Sequence, residues 1–492
     1  FLSVSFDRTS AVNGRYYDTS RTATVTVAER NFSPSESVIS TTRKDDEGVA
    51  AQAPSPSRWT VRNGVSDHRR SASVVFSRDG TYALTVRAAD LAGNVATVVR
   101  EPEFVIDTTA PAITIVGVSD NTAYAGSVIP GISYDDANID RSSVSCTLSG
   151  ARRGDMDDVE LDAMTTRSDR PDGVAMAFRD FDRTPSTDDV YTLSATVRDL
   201  AGNVITASRT FSVNRFGSTY SFVGDTGNLR GAYLRKPSDV TIAETNVSGL
   251  RQGTTRIVVS HGDRAVALEN DQYTVDTGSD EGWSRTVYTI PASRFSRDGY
   301  YRVLLQSVDN AGNLSQNTMD GKDPTRTESA ELSFAIDGTS PSARLLGVRS
   351  GGVYRSALGR DVGIDVKDNM AVNVAELYVD GRLVRRWTGE ETLYRTPRYL
   401  IPSDGEFHTM TVRTVDDAGN EARTEYDHVY VGSSWDVYAM RAPSAANAII
   451  VGVVATCMVI AGISVAAIVS RRSARRGSYR GRDPESAGPE DS

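Results

Sequence analysis

The string Asp-x-Ala-Gly-Asn occurs four times in this chain of 492 residues, at Asp90–Asn94, Asp199–Asn203, Asp309–Asn313 and Asp416–Asn420. The copies start 109, 110 and 107 residues apart, one small-domain length each time. Each follows an alternating apolar run: Tyr82-Leu84-Val86, Tyr191-Leu193-Ala195-Val197, Tyr301-Val303-Leu305 and Met410-Val412. Period-two alternation puts those side chains on one face of a half-buried strand. A second strand follows each copy, as in Phe104-Val-Ile-Asp107, Phe211-Ser-Val-Asn214, Phe334-Ala-Ile-Asp337 and Val429-Tyr-Val431. Strand, Gly-Asn turn and strand read as a hairpin, in which Gly supplies the positive φ and the Asp side chain bonds turn amides.

An earlier element repeats too. Val25-Thr-Val27-Ala-Glu29-Arg-Asn31-Phe32 matches Val240-Thr-Ile242-Ala-Glu244-Thr-Asn246-Val247, and Ile132-Ser-Tyr134-Asp-Asp136-Ala-Asn138-Ile139 is a looser copy. The fourth repeat has Ile364-Asp-Val366-Lys-Asp368, with Met370 where the others place Asn. Roughly seven short strands per hundred residues, without helical periodicity, point to an all-β chain of tandem immunoglobulin-like β-sandwiches. The AVNGRYY…RTATVTVAERNF stretch and the YxLxVxxxDxAGN…FxID hairpins resemble bacterial immunoglobulin-like repeat domains of cell-surface proteins. The likeness covers nearly all of residues 1–432. It implies a domain type more than a function, because such modules serve as stalks, adhesins and enzyme appendages.

Module ends set the expected boundaries: modules at 1–107, 108–216, 217–338 and 339–432, a juxtamembrane linker at 433–447, a transmembrane helix at 448–470 and a tail at 471–492. The links Asp107-Thr-Thr-Ala-Pro111, Asn214-Arg-Phe-Gly217 and Asp337-Gly-Thr-Ser-Pro341 are short, so neighbours should be restrained like segments of a semi-rigid rod.

From Ala448 to Val469 the chain carries no charge, long enough as a helix to span about 30 Å of hydrocarbon. Arg471, Arg472, Arg475 and Arg476 follow at once, and only Arg441 stands near the other side. The positive-inside rule then makes this a single-pass membrane protein with a cytoplasmic C-terminal tail and residues 1–445 extracellular. Small residues four apart (Ala448, Gly452, Thr456; Gly462, Ala466) would also suit helix pairing. The layout resembles that of Gram-positive sortase substrates, but Ser434-Trp-Asp-Val-Tyr-Ala-Met-Arg-Ala-Pro-Ser-Ala holds no LPxTG-like signal, so a retained helix is expected.

The net charge of −10 excludes nucleic acid as a partner, since a phosphate backbone needs basic surface. Of two cysteines, Cys457 lies in the apolar run and Cys146 shares a strand face with Val144 and Leu148, so Cys146 is expected as a small core residue without an intramolecular disulfide, the alternative being an intermolecular one. The chain opens at Phe1 inside a strand pattern with no initiator Met, and is expected to be a fragment whose export signal lies upstream.

In an immunoglobulin-like sandwich the B–C and F–G loops share one end. That would bring Glu29 near Asp90, Asp136 near Asp199, Glu244 near Asp309 and Asp368 near Asp416, with Asp107, Asn214 or Asp337 arriving from the module before. Clustered oxygens at a junction suit Ca²⁺, but local turn capping explains the same residues, and no contiguous calcium loop is present. Capping is the reading taken here, so no metal ligand, cofactor or catalytic residue is assigned. Lys-dependent isopeptide bonds have only Lys44, Lys236, Lys322 and Lys367 to draw on, none in the second module. Arg153-Gly154-Asp155 spells an integrin-type tripeptide in a polar stretch, Gly150 to Gly173, that reads as an exposed loop. His68, His261, His408 and His428 are far apart, and no nucleophile elbow, P-loop or dinucleotide fingerprint is present. The third module's insertion, Asn317 to Ala330, is polar and fits a loop. A non-enzymatic surface adhesin or stalk is therefore expected, with an unknown protein or glycan ligand. The alternative is the accessory stalk and anchor of an extracellular enzyme whose catalytic domain lies upstream.

Overall fold

A computed structural model describes residues 1–61, 68–318, 330–389 and 395–477, with side chains as far as residue 472. The chain divides into two compact units. One holds Phe1–Arg230, Asp239–Arg294 and Arg302–Ser333; the other holds Gly231–Ser238, Phe295–Tyr301 and the chain from Phe334 onward.

In the first unit, the first sandwich sets the sheet Leu2–Phe6, Arg21–Ala28, Arg69–Phe76, Thr60–Val61 against Tyr16–Tyr17, Val99–Ile106, Gly80–Arg87, Val38–Lys44, Ala50–Ala51. The alternation read from the sequence is the reason they stack. Ala23, Val25, Val74 and Phe76 of one sheet meet Tyr82, Leu84, Val86, Phe104 and Ile106 of the other in one core. The second sandwich repeats the plan with Ala112–Val116, Gly131–Asp135, Gly173–Phe178, Thr165–Arg170 against Thr122–Tyr124, Val204–Val213, Asp189–Arg198, Ser145–Gly150, Gly154–Asp155. Tyr191, Leu193, Ala195 and Val197 are all fully buried there. Each large apolar side chain so buried contributes about 2 kcal/mol of transfer free energy. Cys146 sits in that core as expected, and burial pushes its thiol up to about 11. The third sandwich contributes the sheet Thr219–Phe222, Val240–Asn246, Trp283–Ile290, Thr274–Asp280 to the same unit.

In the second unit, the fourth sandwich packs Ser342–Leu346, Arg360–Lys367, Arg398–Ile401 against Val353–Arg355, Glu421–Gly432, Phe407–Asp416, Val372–Val379, Arg382–Thr388. A helix follows at Ser434–Arg441, closed by a capping box between Ser433 and Asp436, with Val437 buried. The long helix Pro443–Gly477 comes next. Its stretch Pro443–Arg472 contains an 18-residue window of mean hydropathy 2.6 with nothing buried, and is long and apolar enough to cross a bilayer.

One device recurs in every sandwich and a second in three of them. A short strand near the start runs parallel to the last strand: Tyr16–Tyr17 beside Val105–Ile106, Thr122–Tyr124 beside Phe211–Val213, Tyr233–Leu234 beside Ala335–Ile336, and Val353–Arg355 beside Tyr430–Gly432. A tyrosine corner stands beside it in three of them, with Tyr82, Tyr191 and Tyr301 donating their hydroxyls to Arg78, Thr187 and Arg297 carbonyls at 2.6, 2.9 and 2.9 Å.

One expectation needs correction. The stretch Gly150 to Gly173 is not a plain loop, because it contains the helix Asp158–Met164 and the strand Thr165–Arg170. The helix is two turns long, capped by Asp157 accepting from Glu160 N, and buries only Met164, so it leaves no apolar period to read. Gly154 and Asp155 form a short exposed strand, and the Arg153 amide is tied to Asp189 at 2.9 Å. The insertion Asn317 to Ala330 lies mostly outside the described residues, but its ends are joined by Asn317 Nδ2 donating to Ala330 O at 2.9 Å. The tail from residue 478 also lies outside them.

Candidate metal centres at the module joints

The Asp-x-Ala-Gly-Asn turn is built identically each time. The Asp amide donates to the Asn carbonyl, the Gly amide donates back to the Asp carbonyl, and the Gly takes φ of +85, +99, +95 and +81° in chain order. A side chain at that Gly would be strained, so the position calls for Gly. The Asp Oδ1 accepts the Asn amide in all four copies, at 2.7 to 2.9 Å. The turn reading of the sequence holds to that point.

The sequence did not show what the motif's Asn does next. Asn203 Nδ2 donates to Asp107 O at 3.0 Å, Asn313 Nδ2 to Asn214 O at 2.7 Å, and Asn420 Nδ2 to Asp337 O at 2.7 Å. In each case the acceptor is the residue just after the preceding sandwich's final strand, so the Asn couples one sandwich to the one before. Asn94, in the first sandwich, bonds back to Asp90 at 2.7 Å. The signal that could have revealed this is the invariance of Asn across all four copies, since turn geometry alone asks only for Gly.

The other side of each joint is held by an acid at the tyrosine corner. Asp79 accepts from the Thr108 amide at 2.9 Å and from the Thr109 hydroxyl at 2.5 Å. Asp298 accepts from the Gly338 amide at 2.9 Å and from the Thr339 hydroxyl at 2.6 Å. Asp188 accepts from the Arg215 and Phe216 amides at 2.9 and 3.0 Å.

Within this frame three carboxylates converge at the first joint, Asp107, Asp136 and Asp199, and three at the last, Asp337, Asp368 and Asp416. In each group one ligand oxygen per residue lies within 4.8 Å of the others. Two ionised carboxylates at that separation repel by about 3.5 kcal/mol at an effective dielectric near 20. Burial, joined by the charges of acidic neighbours, raises Asp107 and Asp136 to about 6 against the bonds from Asn138. Burial and the Asp368 charge raise Asp337 likewise.

The two triads differ in one residue. At the first joint Asn138 Nδ2 donates to Asp107 Oδ2 at 2.8 Å. At the last, Met370 stands where that Asn would be, and Asp337 Oδ2 and Asp368 Oδ1 are buried with no hydrogen-bond partner among the described residues. Asp337 is fully buried, so that oxygen has lost water and gained nothing from protein. Oxygen-only donors, and an acidic oxygen with its site to itself, fit a hard divalent cation such as Ca²⁺.

The middle joint has the same positions and other chemistry. Asn214, Asn246 and Asp309 meet there, all buried. The sequence pairing of Glu244 with Asp309 does not occur, because Glu244 points into the third sandwich and accepts from the Tyr220 and Tyr288 hydroxyls at 3.0 Å each. A two-residue shift along the strand puts Asn246 in the place that Asp136 and Asp368 occupy elsewhere: Ser248 donates its amide to Asn246 as Asn138 does to Asp136 and Met370 to Asp368, each from two residues on. Glu29 accepts from the Asn31 amide in the same way, at 2.9 Å.

Residues 75–214 match the family described as bacterial Ig-like domain, group 3. No curated protein matches the chain. Among solved structures, a tetra-tandem repeat from the extending region of a large adhesion protein is similar at 18% identity, over 87% of this chain and 99% of that one, with a TM-score of 0.34. A Ca²⁺-stabilised adhesin with which an Antarctic bacterium binds ice shares 15% identity over 84% of this chain and 94% of its own, at a TM-score of 0.20. Fibronectin(III)-like modules of Clostridium thermocellum CbhA share 14% identity over 44% of this chain and 95% of theirs, at 0.21.

Proposed function

We propose that this chain is the membrane-proximal part of a bacterial cell-surface adhesin or stalk, non-enzymatic along its length, whose sandwiches are held in register by their joints and stiffened by Ca²⁺ at two of them. The observation that carries this reading is the motif Asn, which in every copy with a sandwich before it spends its side-chain amide on that sandwich's backbone. A chain built to bind or react within single modules has no use for a donor repeated at each joint. A chain built to hold modules in line does.

Anchoring follows from the helix Pro443–Arg472 and from what precedes it. Trp435 and Tyr438 are exposed, with ring centroids 5.7 Å apart, on the short helix just before the apolar run. Exposed Trp and Tyr next to a span suit the lipid–water interface. With four Arg after the span, the tail is cytoplasmic and the sandwiches extracellular. The match of residues 75–214 to a bacterial Ig-like family supports a surface location.

Reconstitution of the full chain in liposomes tests the topology. Protease added outside should leave one protected fragment of the size of the span plus tail in every vesicle whose sandwiches face out. Complete digestion of residues 448–470 would remove the anchor from the reading.

A further inference from the structure

We infer that cation binding is confined to the first and last joints, and that the joint between the second and third sandwiches supplies its own hydrogen-bond donors and stays closed without metal. This rests on the Ca²⁺ reading of the two carboxylate triads.

Three separate sets of contacts lock that joint. The first is the amide exchange inside the triad. Asn214 Nδ2 donates to Asp309 Oδ2 at 2.9 Å, and Asn246 Nδ2 donates to the same oxygen at 3.2 Å. Asn313 Nδ2 adds a third bond to it at 2.9 Å, while the Asn313 amide takes Asp309 Oδ1 at 2.8 Å. Asp309 is thus one buried carboxylate surrounded by N–H donors. Two of those donors stand where the other joints hold carboxylates, so the centre carries one negative charge where they carry three. A divalent cation would have to break these N–H···O bonds and turn the amide oxygens inward to enter.

The second set is the linker itself. The Arg215 guanidinium turns back into the second sandwich, donating to the carbonyls of Gly126, Phe181 and Asp182 at 3.0, 3.0 and 2.9 Å and to Asp180 at 2.8 Å. Its side chain is 4% exposed. The outer linkers have Thr108 and Gly338 in that place, neither able to make such a plug.

The third set is a clamp on the flank. The hairpin tip of the third sandwich brings Trp283 Nε1 to Asp189 of the second at 2.7 Å. Arg152 of the second stacks on that indole with its guanidinium carbon 3.9 Å from the ring centre, and bonds Asp280 at 2.8 Å. A side chain at Gly282 would come within 2.6 Å of Ala151, so the two surfaces are in close contact. Amide donors, linker and flank all act at this joint without an ion.

The test is hydrogen exchange read by mass spectrometry on the full chain in detergent micelles, with millimolar Ca²⁺ or with chelator, at the linker segments 107–111, 214–218 and 337–341. Chelation should speed exchange at 107–111 and 337–341 by on the order of tenfold and leave 214–218 within about twofold. Opening of 214–218 together with the other two overturns the inference. If no segment responds to Ca²⁺, the cation reading of the triads fails. The Asn214→Asp, Asn246→Asp double variant then decides the rest in chelator: faster exchange at 214–218 upholds the amide lock, and unchanged exchange overturns it. With Ca²⁺ sites present, the same variant should make 214–218 cation-dependent.

Discussion

After Ile106 the chain sets Asp107 against Asp136 and Asp199; after Val213 it sets Asn214 against Asn246 and Asp309. The backbone around both is the same. A parallel strand pins the last residue, as the Asp107 amide donates to Tyr17 O and the Asn214 amide to Tyr124 O, both at 2.9 Å. The motif Asn of the following sandwich holds that residue's carbonyl in both. What differs is two oxygens exchanged for two NH₂ groups. That exchange turns three mutually repelling carboxylates into one carboxylate with donors around it, and decides whether the joint needs a cation. The fold fixes where the centre lies, and the side-chain charge fixes what the centre does.

The largest expected effect comes from converting one joint into the other. Asn214→Asp with Asn246→Asp buries two added charges, and should destabilise the joint by about 3–5 kcal/mol in chelator, with most of the loss recovered in Ca²⁺. Melts of the full chain with and without Ca²⁺ measure this, and equal melts in both would break the comparison. The reverse conversion, Asp337→Asn with Asp368→Asn, should raise stability in chelator by about 2 kcal/mol and abolish the response of that joint to Ca²⁺.

A smaller effect separates coupling from turn-making. Asn203→Ala and Asn420→Ala remove a donor to the preceding sandwich, and should each cost about 1–3 kcal/mol. Asn94→Ala, which removes only the bond back to Asp90, should cost under about 1 kcal/mol. Similar losses at all three positions would reduce the motif to a hairpin turn.

The smallest expected effect is a pH response remote from the joints. His408 is largely buried between Asp380 at 2.7 Å and Asp404 at 3.0 Å. Burial alone would lower its pKa, but the two acids outweigh it and hold the imidazole above its usual 6.5. A raised folded-state value makes its stabilisation fully present below about pH 6.5 and lost as pH rises through the folded pKa. The fourth sandwich should lose about 1 kcal/mol across that rise, and His408→Gln should flatten the profile.

Much of this architecture was legible in the sequence. The alternating runs before each motif copy point into the cores, and the expected meetings of Asp136 with Asp199 and of Asp368 with Asp416 occur. Backbone periodicity and loop placement suffice for those, because they depend on chain geometry alone. Glu244 was misassigned because matching ValThrIleAlaGluThrAsn to the first repeat aligns letters. The third sandwich carries two extra residues before its loop, which moves Asn246 into the acid's place. The clamp between Trp283 and Asp189 left no trace in the sequence, since the residues are 94 apart and meet only through tertiary packing. Met370 was visible as an odd letter, but its consequence, two buried oxygens without donors, needed the side chains in place.

The most direct measurement is the number of Ca²⁺ ions bound per full-length chain, by titration calorimetry in detergent, for the wild type and for Asp199→Asn and Asp416→Asn. Two ions for the wild type and one for each variant are expected. Three ions, or none, would contradict the division of the joints by charge.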